Sequence, residues 1–237
     1  MRVISVANQK GGVGKTTLSF HLGCYLNKRN KTVLLVDLDS QGNLTKITGV
    51  KRADCLIYDV FSDYPVLKTE PIRDGLSICT SDYRFSKLMF NMKTEHQGAL
   101  KKALAGKSAD YAVVDCPSGL NSITASAYIA SDFLLIPTLP SDLSVDGIEQ
   151  FLEIVGSLKT LKVLGIVVNR YIKKRHSSNS IKALLGAGYK IIKPIIPERT
   201  AVEEAEKHNL PIWDYAPGTD IAGMYELLMR NIIKSLH

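Results

Sequence analysis

The feature that most constrains the fold is a glycine-rich loop between a short apolar run and a helix-like segment. The loop is KGGVGKTT at residues 10–17, and the apolar run before it covers residues 3–7. Its glycines allow backbone N–H groups to point inward around an anion, and the N-terminus of the following helix adds a positive dipole. Lys15 can then bridge the β- and γ-phosphates of a nucleotide, and the Thr16 hydroxyl can bind Mg²⁺. The pattern predicts a phosphate-binding loop rather than a turn without a ligand.

Short apolar runs alternate with longer segments of helical periodicity along the chain. The predicted strands cover residues 3–7, 32–36, 111–114, 133–136 and 163–168, with two further short candidates at 76–79 and 191–196. The predicted helices cover residues 16–29, 85–107, 121–130, 145–158, 178–185, 201–208 and 220–236. Runs that are apolar on both faces are typical of parallel strands covered by helices, and their alternation with helices implies right-handed βαβ units. We therefore predict a single α/β domain over residues 1–237, in which helices flank a mostly parallel sheet.

Composition excludes several classes of protein. The chain is 45% hydrophobic and 22% charged, with a formal net charge of +7, which is typical of a globular protein and not of a disordered one. Cys24, Cys55, Cys79 and Cys116 form no CxxC pair, so we expect packed thiols rather than a zinc, redox or iron–sulfur site. No apolar stretch has the length of a signal peptide or of a membrane span, and we expect a soluble, cytoplasmic protein.

The loop KGGVGKTT resembles the deviant Walker A motif of the ParA/MinD superfamily of P-loop ATPases. Four further segments resemble motifs of that superfamily in the same order: VLLVDLDSQGNLT (residues 33–45), VVDCPSGL (113–120), VVNRY (167–171) and IIPER (195–199). Ser40 departs from the pattern, because the family usually has a proline there. The resemblance covers nearly the whole chain and implies a three-layer P-loop NTPase fold, ATPase activity, and ATP and Mg²⁺ as cofactors.

The resemblance also implies roles for individual residues. The residues expected to contact the nucleotide are Lys10, Gly11, Gly12, Val13, Gly14, Lys15, Thr16, Thr17, Asn169 and Pro197. Asn169 can bond an adenine edge through its amide, and Pro197 is expected to flank the base. Asp39 and Asp115 follow predicted strands, at the sheet edge where ligands bind in open α/β folds. The expected metal-site residues are Thr16, Asp39 and Asp115, with Asp115 acting through water.

The expected catalytic residues are Lys10, Lys15 and Asp39. Asp39 is expected near the attacking water, with Asp37 supporting the Mg²⁺ shell. Lys10 matches the signature lysine of the superfamily, and its place at the loop entrance suits a cation that reaches the phosphates of a second subunit.

Positive charge is concentrated toward the C-terminal half of the chain. Residues 161–197 contain eight lysines and arginines and no acidic residue. Such a patch suits sequence-independent contact with phosphates of DNA, and the predicted DNA-binding residues are Lys173, Lys174, Arg175 and Lys193. Glu198 places an acid where the family pattern favours a base. A second basic cluster at residues 84–107 is the alternative DNA-binding surface.

These observations favour a compact, Soj-like or small plasmid ParA-type ATPase of plasmid or chromosome partition. Such a protein is expected to form a homodimer with ATP, to bind DNA non-specifically on the nucleoid, and to hydrolyse ATP when stimulated by a ParB-like centromere-binding protein. One alternative is a MinD-like positioning ATPase at a membrane, although the last helix has the pattern of a core-packing helix rather than a membrane anchor. The other alternative is a nucleotide-dependent regulator that hydrolyses ATP only weakly.

Overall fold

One seven-stranded sheet forms the centre of the molecule. The computed structural model describes residues 1–51, 54, 56–61, 65–89, 94–141, 143–172 and 175–236. The strands are β1 (Arg2–Val6), β2 (Val33–Asp37), β3 (Glu70–Arg73), β4 (Leu76–Cys79), β5 (Tyr111–Asp115), β6 (Phe133–Thr138) and β7 (Lys162–Val168). Their order in the sheet is β3-β4-β2-β5-β1-β6-β7. All neighbouring pairs are parallel except β3 and β4, which confirms the predicted mostly parallel sheet.

Helices cover both faces of this sheet. They are α1 (Lys15–Lys28), α2 (Asn43–Ile47), α3 (Ile57–Val60), α4 (Arg84–Met89), α5 (Ala99–Ala105), α6 (Ser122–Ala130), α7 (Leu143–Gly156), α8 (Arg175–Gly186), α9 (Thr200–Lys207), α10 (Ile212–Tyr215) and α11 (Asp220–Lys234). One apolar core packs α5 to α8 against the sheet, and a second packs α1 and α9 to α11 against the opposite face. Successive strand residues point to opposite faces, so Val3 belongs to the first core and Ile4 to the second. The α/β class and the three-layer arrangement are as predicted.

Two predicted elements are wrong. The expected helix over residues 85–107 is divided into α4, a 3₁₀ turn at Thr94–Gly98, and α5. Glycine has a low helix propensity, and Gly98 stands at the boundary between the 3₁₀ turn and α5. Residues 191–196 form no strand. Ile191 makes a single bridge to Ile166 of β7, and the adjoining Pro197 makes one to Tyr171, which lies beyond the end of β7.

The segment that follows Lys190 nevertheless covers the free edge of β7. The Ile166 N–H donates to the Lys190 carbonyl, and the Ile192 N–H donates to the Ile166 carbonyl, both at 2.8 Å. Gly165 permits this approach, because a Cβ added there would lie 2.7 Å from the Lys190 carbonyl oxygen. Pro194 has no N–H to donate, which prevents a continuous ladder.

The last helix packs in the core. Ile221, Tyr225, Leu228 and Ile232 of α11 are buried, so its apolar stripe is already covered and the core-packing prediction is confirmed. Within the part of the chain that the structure describes, no helix combines the length and the apolar character that crossing a bilayer requires.

The register of the strands places residues of the predicted site next to one another. Asp115 at the end of β5 is paired with Val6 at the end of β1 and with Asp37 at the end of β2. The glycine-rich loop follows β1 directly. The loop and both aspartates therefore meet at the carboxyl edge of the sheet, where open α/β sheets bind ligands.

Candidate nucleotide-binding site

The loop between β1 and α1 requires glycine at its last position. Gly14 has φ +89°, in the left-handed region that side chains avoid. A Cβ on Gly14 would also collide with the amide nitrogen of Asn169 at the end of β7. The loop is thus held close to Asn169, and its backbone is free to face a bound anion.

Lys15 is buried beneath this loop. Its Nζ donates to the Asn8 carbonyl (3.3 Å), the Lys10 carbonyl (3.0 Å) and the Ser118 hydroxyl (2.9 Å). Burial lowers the pKa of Lys15, while the nearby Asp115 carboxylate opposes that change. The neutral acceptors leave the ammonium charge available to a phosphate.

Asp115 and Thr16 form a set of oxygen ligands next to Lys15. The Thr16 hydroxyl donates to Asp115 Oδ2 at 2.7 Å, and the Ser19 hydroxyl donates to Asp115 Oδ1 at 3.2 Å. Burial, followed by the charge of Asp37, raises the pKa of Asp115 well above its usual value. Mg²⁺ prefers hydroxyl, carboxylate and water oxygens, so this donor set fits the ion. The structure brings the predicted ligands Thr16 and Asp115 into contact.

Asp37 anchors the loop that contains Asp39. Its carboxylate accepts hydrogen bonds from the Thr45 N–H and hydroxyl, both at 2.8 Å, and from the Asp39 N–H at 3.1 Å. Burial raises the pKa of Asp37 to about 6, and these hydrogen bonds oppose the rise. The Asp37 carboxylate therefore positions the loop that contains Asp39.

Asp39 itself is partly exposed. Its Oδ1 accepts from the Gln41 N–H at 2.9 Å. Its charge contributes to the raised pKa of Asp115 and opposes the lowered pKa of Lys15, which places it in the electrostatic field of the same site.

A cavity of about 280 Å³ adjoins the loop. Gly14 and Thr17 line one part of it, and Asn169 and Pro197 line another. The Asn169 Nδ2 donates to the Val13 carbonyl at 3.4 Å. Four residues predicted to contact the nucleotide therefore share one cavity next to the phosphate loop.

Further residues of this cavity were not identified from the sequence. Glu203 and Glu206 on α9 and Tyr225 on α11 also line it. No site role was predicted for them, and their place depends on how α9 and α11 pack. The only sequence signal is that Glu203 and Glu206 are three residues apart and so lie on neighbouring positions of one helix.

Arg170 lies on the wall of the same cavity. Its guanidinium pairs with Glu198 (Nε to Oε1, 3.2 Å) and with Glu203 (2.7 Å). This arginine belongs to the basic segment of residues 161–197, but its charge is balanced by acids beside the nucleotide cavity. It is therefore a poor candidate for DNA contact.

Lys10 is exposed at the entrance of the loop. Its Nζ donates to the Ser141 hydroxyl at 3.3 Å, and its N–H donates to Asn8 Oδ1 at 2.9 Å. The Lys10 backbone is thus held in place while its ammonium lies at the surface. This arrangement is compatible with the prediction that Lys10 contacts the phosphates of a second subunit.

The predicted DNA-binding residues are only partly described. Lys173 and Lys174 lie outside the described residues, and Arg175 begins α8 but its side chain is not described. Lys193 is exposed, and its carbonyl accepts from Asn231 Nδ2 at 2.8 Å. The other described lysines of this segment are also exposed: Lys162, Lys182 and Lys190.

Comparisons with known proteins agree with this architecture. A family profile described as an AAA domain matches residues 1–166. The chain is 30% identical over 259 residues to the sporulation initiation inhibitor protein Soj of Bacillus subtilis, covering 98% of each protein. It is 31% identical over 245 residues to the chromosome-partitioning ATPase Soj of Thermus thermophilus, covering 98% of this chain and 96% of that protein.

Solved structures share the fold. Apo McdA of Cyanothece superposes with a TM-score of 0.87 over 100% of both chains, at 24% sequence identity. At that identity the likeness concerns the fold alone.

Proposed function

We propose that this chain, which belongs to the ParA/MinD superfamily of P-loop ATPases, is a ParA-type ATPase of plasmid or chromosome partition. ATP binding produces a homodimer, the dimer binds DNA without sequence preference, and a ParB-like centromere-binding protein stimulates hydrolysis. Its place of action is the nucleoid in the cytoplasm. The full-length similarity to two Soj proteins supports this role.

The observation on which the proposal rests is the convergence of Lys15, Thr16 and Asp115 at the phosphate loop. Lys15 supplies a fixed cation for the β- and γ-phosphates, and the loop backbone supplies N–H donors. Thr16 and Asp115 are in contact at 2.7 Å and are the residues that would hold Mg²⁺. The chemistry that a bound Mg²⁺ supplies is neutralisation of charge on the phosphates.

Asp39 and Lys10 complete the proposed chemistry. Asp39 is held by the Asp37-anchored loop and orients the attacking water. Lys10 extends from the loop entrance toward the phosphates of the second subunit, where its ammonium stabilises the charge of the transition state. ATP binding and dimer formation are then linked, because the nucleotide charge lies at the interface.

DNA binding is assigned to the basic segment of residues 161–197. Lys162, Lys182, Lys190 and Lys193 are exposed there, and no acidic residue interrupts the segment. Exposed lysines suit contacts to phosphates, which give affinity without sequence preference.

Phosphate release from ATP tests the enzymatic part of this proposal. We expect the wild-type protein with Mg²⁺ and duplex DNA to hydrolyse ATP, and Lys15→Ala to lose nucleotide affinity together with turnover. Lys31→Ala is the matched control, because Lys31 is an exposed lysine beyond the end of α1. Wild-type affinity and turnover in Lys15→Ala would contradict the assigned site.

A further inference from the structure

Asn8 is a buried side chain at the entrance of the phosphate loop, between the end of β1 and Lys10. Both ends of its amide are hydrogen-bonded. The Nδ2 donates to the Pro137 carbonyl of β6 at 2.8 Å, and the Oδ1 accepts from the Lys10 N–H at 2.9 Å. Asn8 therefore links the backbone of Lys10 to a neighbouring strand of the sheet.

The two partners of the Asn8 side chain require an amide. A carbonyl needs a donor and an N–H needs an acceptor, and asparagine carries both at the end of one short side chain. The bond from the N–H of the residue two positions later closes an Asx turn, which serine forms more weakly. The Asn8 amide thus fixes the turn from which Lys10 extends.

The side chain and the main chain of Asn8 contact different lysines. The Asn8 carbonyl accepts from the Lys15 ammonium at 3.3 Å, whereas the side chain bonds the Lys10 N–H. A substitution that shortens the side chain leaves Lys15 its Asn8 carbonyl and its Ser118 hydroxyl. Such a substitution therefore separates the placement of Lys10 from the cation that binds phosphates within the subunit.

The end of β6 also lies next to the Lys10 ammonium. The Lys10 Nζ donates to the hydroxyl of Ser141, which lies shortly beyond β6, at 3.3 Å. Lys10 is thus held near the same segment at its backbone, through Asn8, and at its ammonium. Ordering a long lysine side chain costs conformational entropy, so a fixed backbone direction favours the reach of the ammonium toward a second subunit.

We propose that Asn8 is a positioning residue whose amide directs Lys10 toward the phosphates bound in the second subunit. This inference rests on the proposed action of Lys10 across the dimer. A displacement of about 1 Å can lower the rate of a reaction about a hundredfold. Loss of the Asn8 amide therefore lowers turnover and dimer formation, while ATP affinity, which depends on Lys15, is preserved.

The test compares Asn8→Ala, Asn8→Ser, Lys10→Ala and the double variant Asn8→Ala/Lys10→Ala with the wild type. ATP affinity, sedimentation with ATP and Mg²⁺, and phosphate release at saturating ATP are measured on each, and thermal unfolding checks that each is folded. We expect Asn8→Ala to bind ATP within about threefold of the wild-type affinity and to release phosphate at least about tenfold more slowly, with a weaker dimer. Asn8→Ser keeps a weaker acceptor for the Lys10 N–H and should have an intermediate turnover.

The double variant tests whether Asn8 acts through Lys10. When Lys10 is already replaced, loss of the amide should change turnover and ATP affinity by less than about twofold relative to Lys10→Ala. The matched control is Asn27→Ala, which removes a hydrogen bond of the same kind, from the Asn27 amide to the Asp74 carbonyl at 3.0 Å, between α1 and the turn that joins β3 and β4. It should keep wild-type turnover.

Two results with Asn8→Ala overturn the inference while leaving ATP hydrolysis by the wild type intact. Wild-type turnover shows that the amide is dispensable, and a loss of ATP affinity of more than about tenfold shows that Asn8 supports the whole loop. A further fall of turnover or of ATP affinity in the double variant also overturns it. Normal dimerisation and turnover in Lys10→Ala would instead contradict the proposed action of Lys10, and the inference with it.

Discussion

At the scale of single residues, the site depends on charged groups that the fold has removed from water. Lys15 is buried among two carbonyls and the Ser118 hydroxyl, and Asp115 is buried beside Thr16. Charges interact more strongly in such surroundings than in water, which suits the proposed binding of phosphates and a divalent cation. Asp39 and Lys10 differ, because both retain contact with solvent and are free to act on groups that arrive at the surface.

Replacement of Asp39 tests whether its carboxylate orients the attacking water. We expect Asp39→Ala to bind ATP with nearly unchanged affinity and to hydrolyse it at least about tenfold more slowly, because only the group that orients the water is removed. Nucleotide titration and phosphate release measured on the same preparation separate the two effects. Asp59→Ala, which removes a partly exposed carboxylate paired with Lys68, is the control. Unchanged turnover of Asp39→Ala in the presence of DNA would reject the role.

Replacement of Lys10 tests action across a subunit interface. The Lys10 side chain is exposed, while Lys15 supplies the cation within the subunit. We therefore expect Lys10→Ala to bind ATP but to lose ATP-driven dimerisation, hydrolysis and DNA binding together. Sedimentation with ATP and Mg²⁺ measures the dimer, with Lys31→Ala as the control. A normal dimer with normal turnover would show that Lys10 acts only within its own subunit.

At the scale of secondary-structure elements, His21 connects the nucleotide helix to the C-terminal helices. In α1, its Nδ1 bonds the Thr17 carbonyl (2.8 Å), and its Nε2 accepts from the Ile212 N–H at the start of α10 (3.1 Å). Its ring packs on Trp213 and on Tyr225 of α11. This arrangement needs a neutral imidazole, and burial lowers the pKa of His21 to about 4.

The lowered pKa predicts a loss of stability in acid. Between about pH 6.5 and pH 4 the unfolded chain binds a proton at His21 that the folded chain does not, so the stabilisation is complete above pH 6.5 and decreases as the pH falls. The expected loss by pH 4 is about 3 kcal/mol, from about 1.4 kcal/mol for each pH unit that separates the two pKa values. Denaturant titrations at several pH values measure it. His21→Gln should show a shallower decrease, whereas His208→Gln, at an exposed position, should follow the wild type. Equal pH dependence of His21→Gln and wild type would contradict the prediction.

The basic segment gives a second prediction at this scale. We expect neutralisation of Lys173, Lys174 and Arg175 to weaken DNA binding. The slope of log affinity against log salt should become shallower by about one unit for each lysine or arginine that no longer pairs with a DNA phosphate. Neutralisation of Lys87, Lys101 and Lys102 in the second basic cluster is the control. Wild-type affinity and slope in the first variant, with weaker binding in the second, would move the DNA site to residues 84–107.

The elements differ in how far the sequence predicts them. The adjacency of Lys15, Thr16 and Asp115 could be predicted, because a local motif and parallel strand ends determine it. The acids and the aromatic residue of the cavity, Glu206 and Tyr225 among them, could not, since their place depends on tertiary packing of α9 and α11. Strand β3 was not predicted either. It is a short antiparallel edge strand of alternating exposure, and its pattern differs from the doubly apolar runs of the parallel strands.

At the scale of the whole molecule, the phosphate loop and the proposed DNA-binding segment lie at different parts of the sheet. The carboxyl edge of β1, β2 and β5 holds the phosphate loop and the aspartates. Lys162 and Lys193 are exposed on the β7 side of the chain, where the segment after Lys190 covers the sheet edge. Asn169, which follows β7, contacts the loop through Val13, so the strand that begins within the basic segment also ends at the nucleotide cavity.

Nucleotide-dependent DNA binding tests the central claim most directly. The measurement is fluorescence anisotropy of a duplex of arbitrary sequence, titrated with the protein and Mg²⁺ in the presence of ATP, of ADP, or of no nucleotide, at several salt concentrations. We predict binding with ATP alone, similar affinity for a second unrelated sequence, and a logarithm of affinity that falls linearly with log salt. Equal binding in all three nucleotide conditions, or no binding with ATP at low salt, would contradict the account.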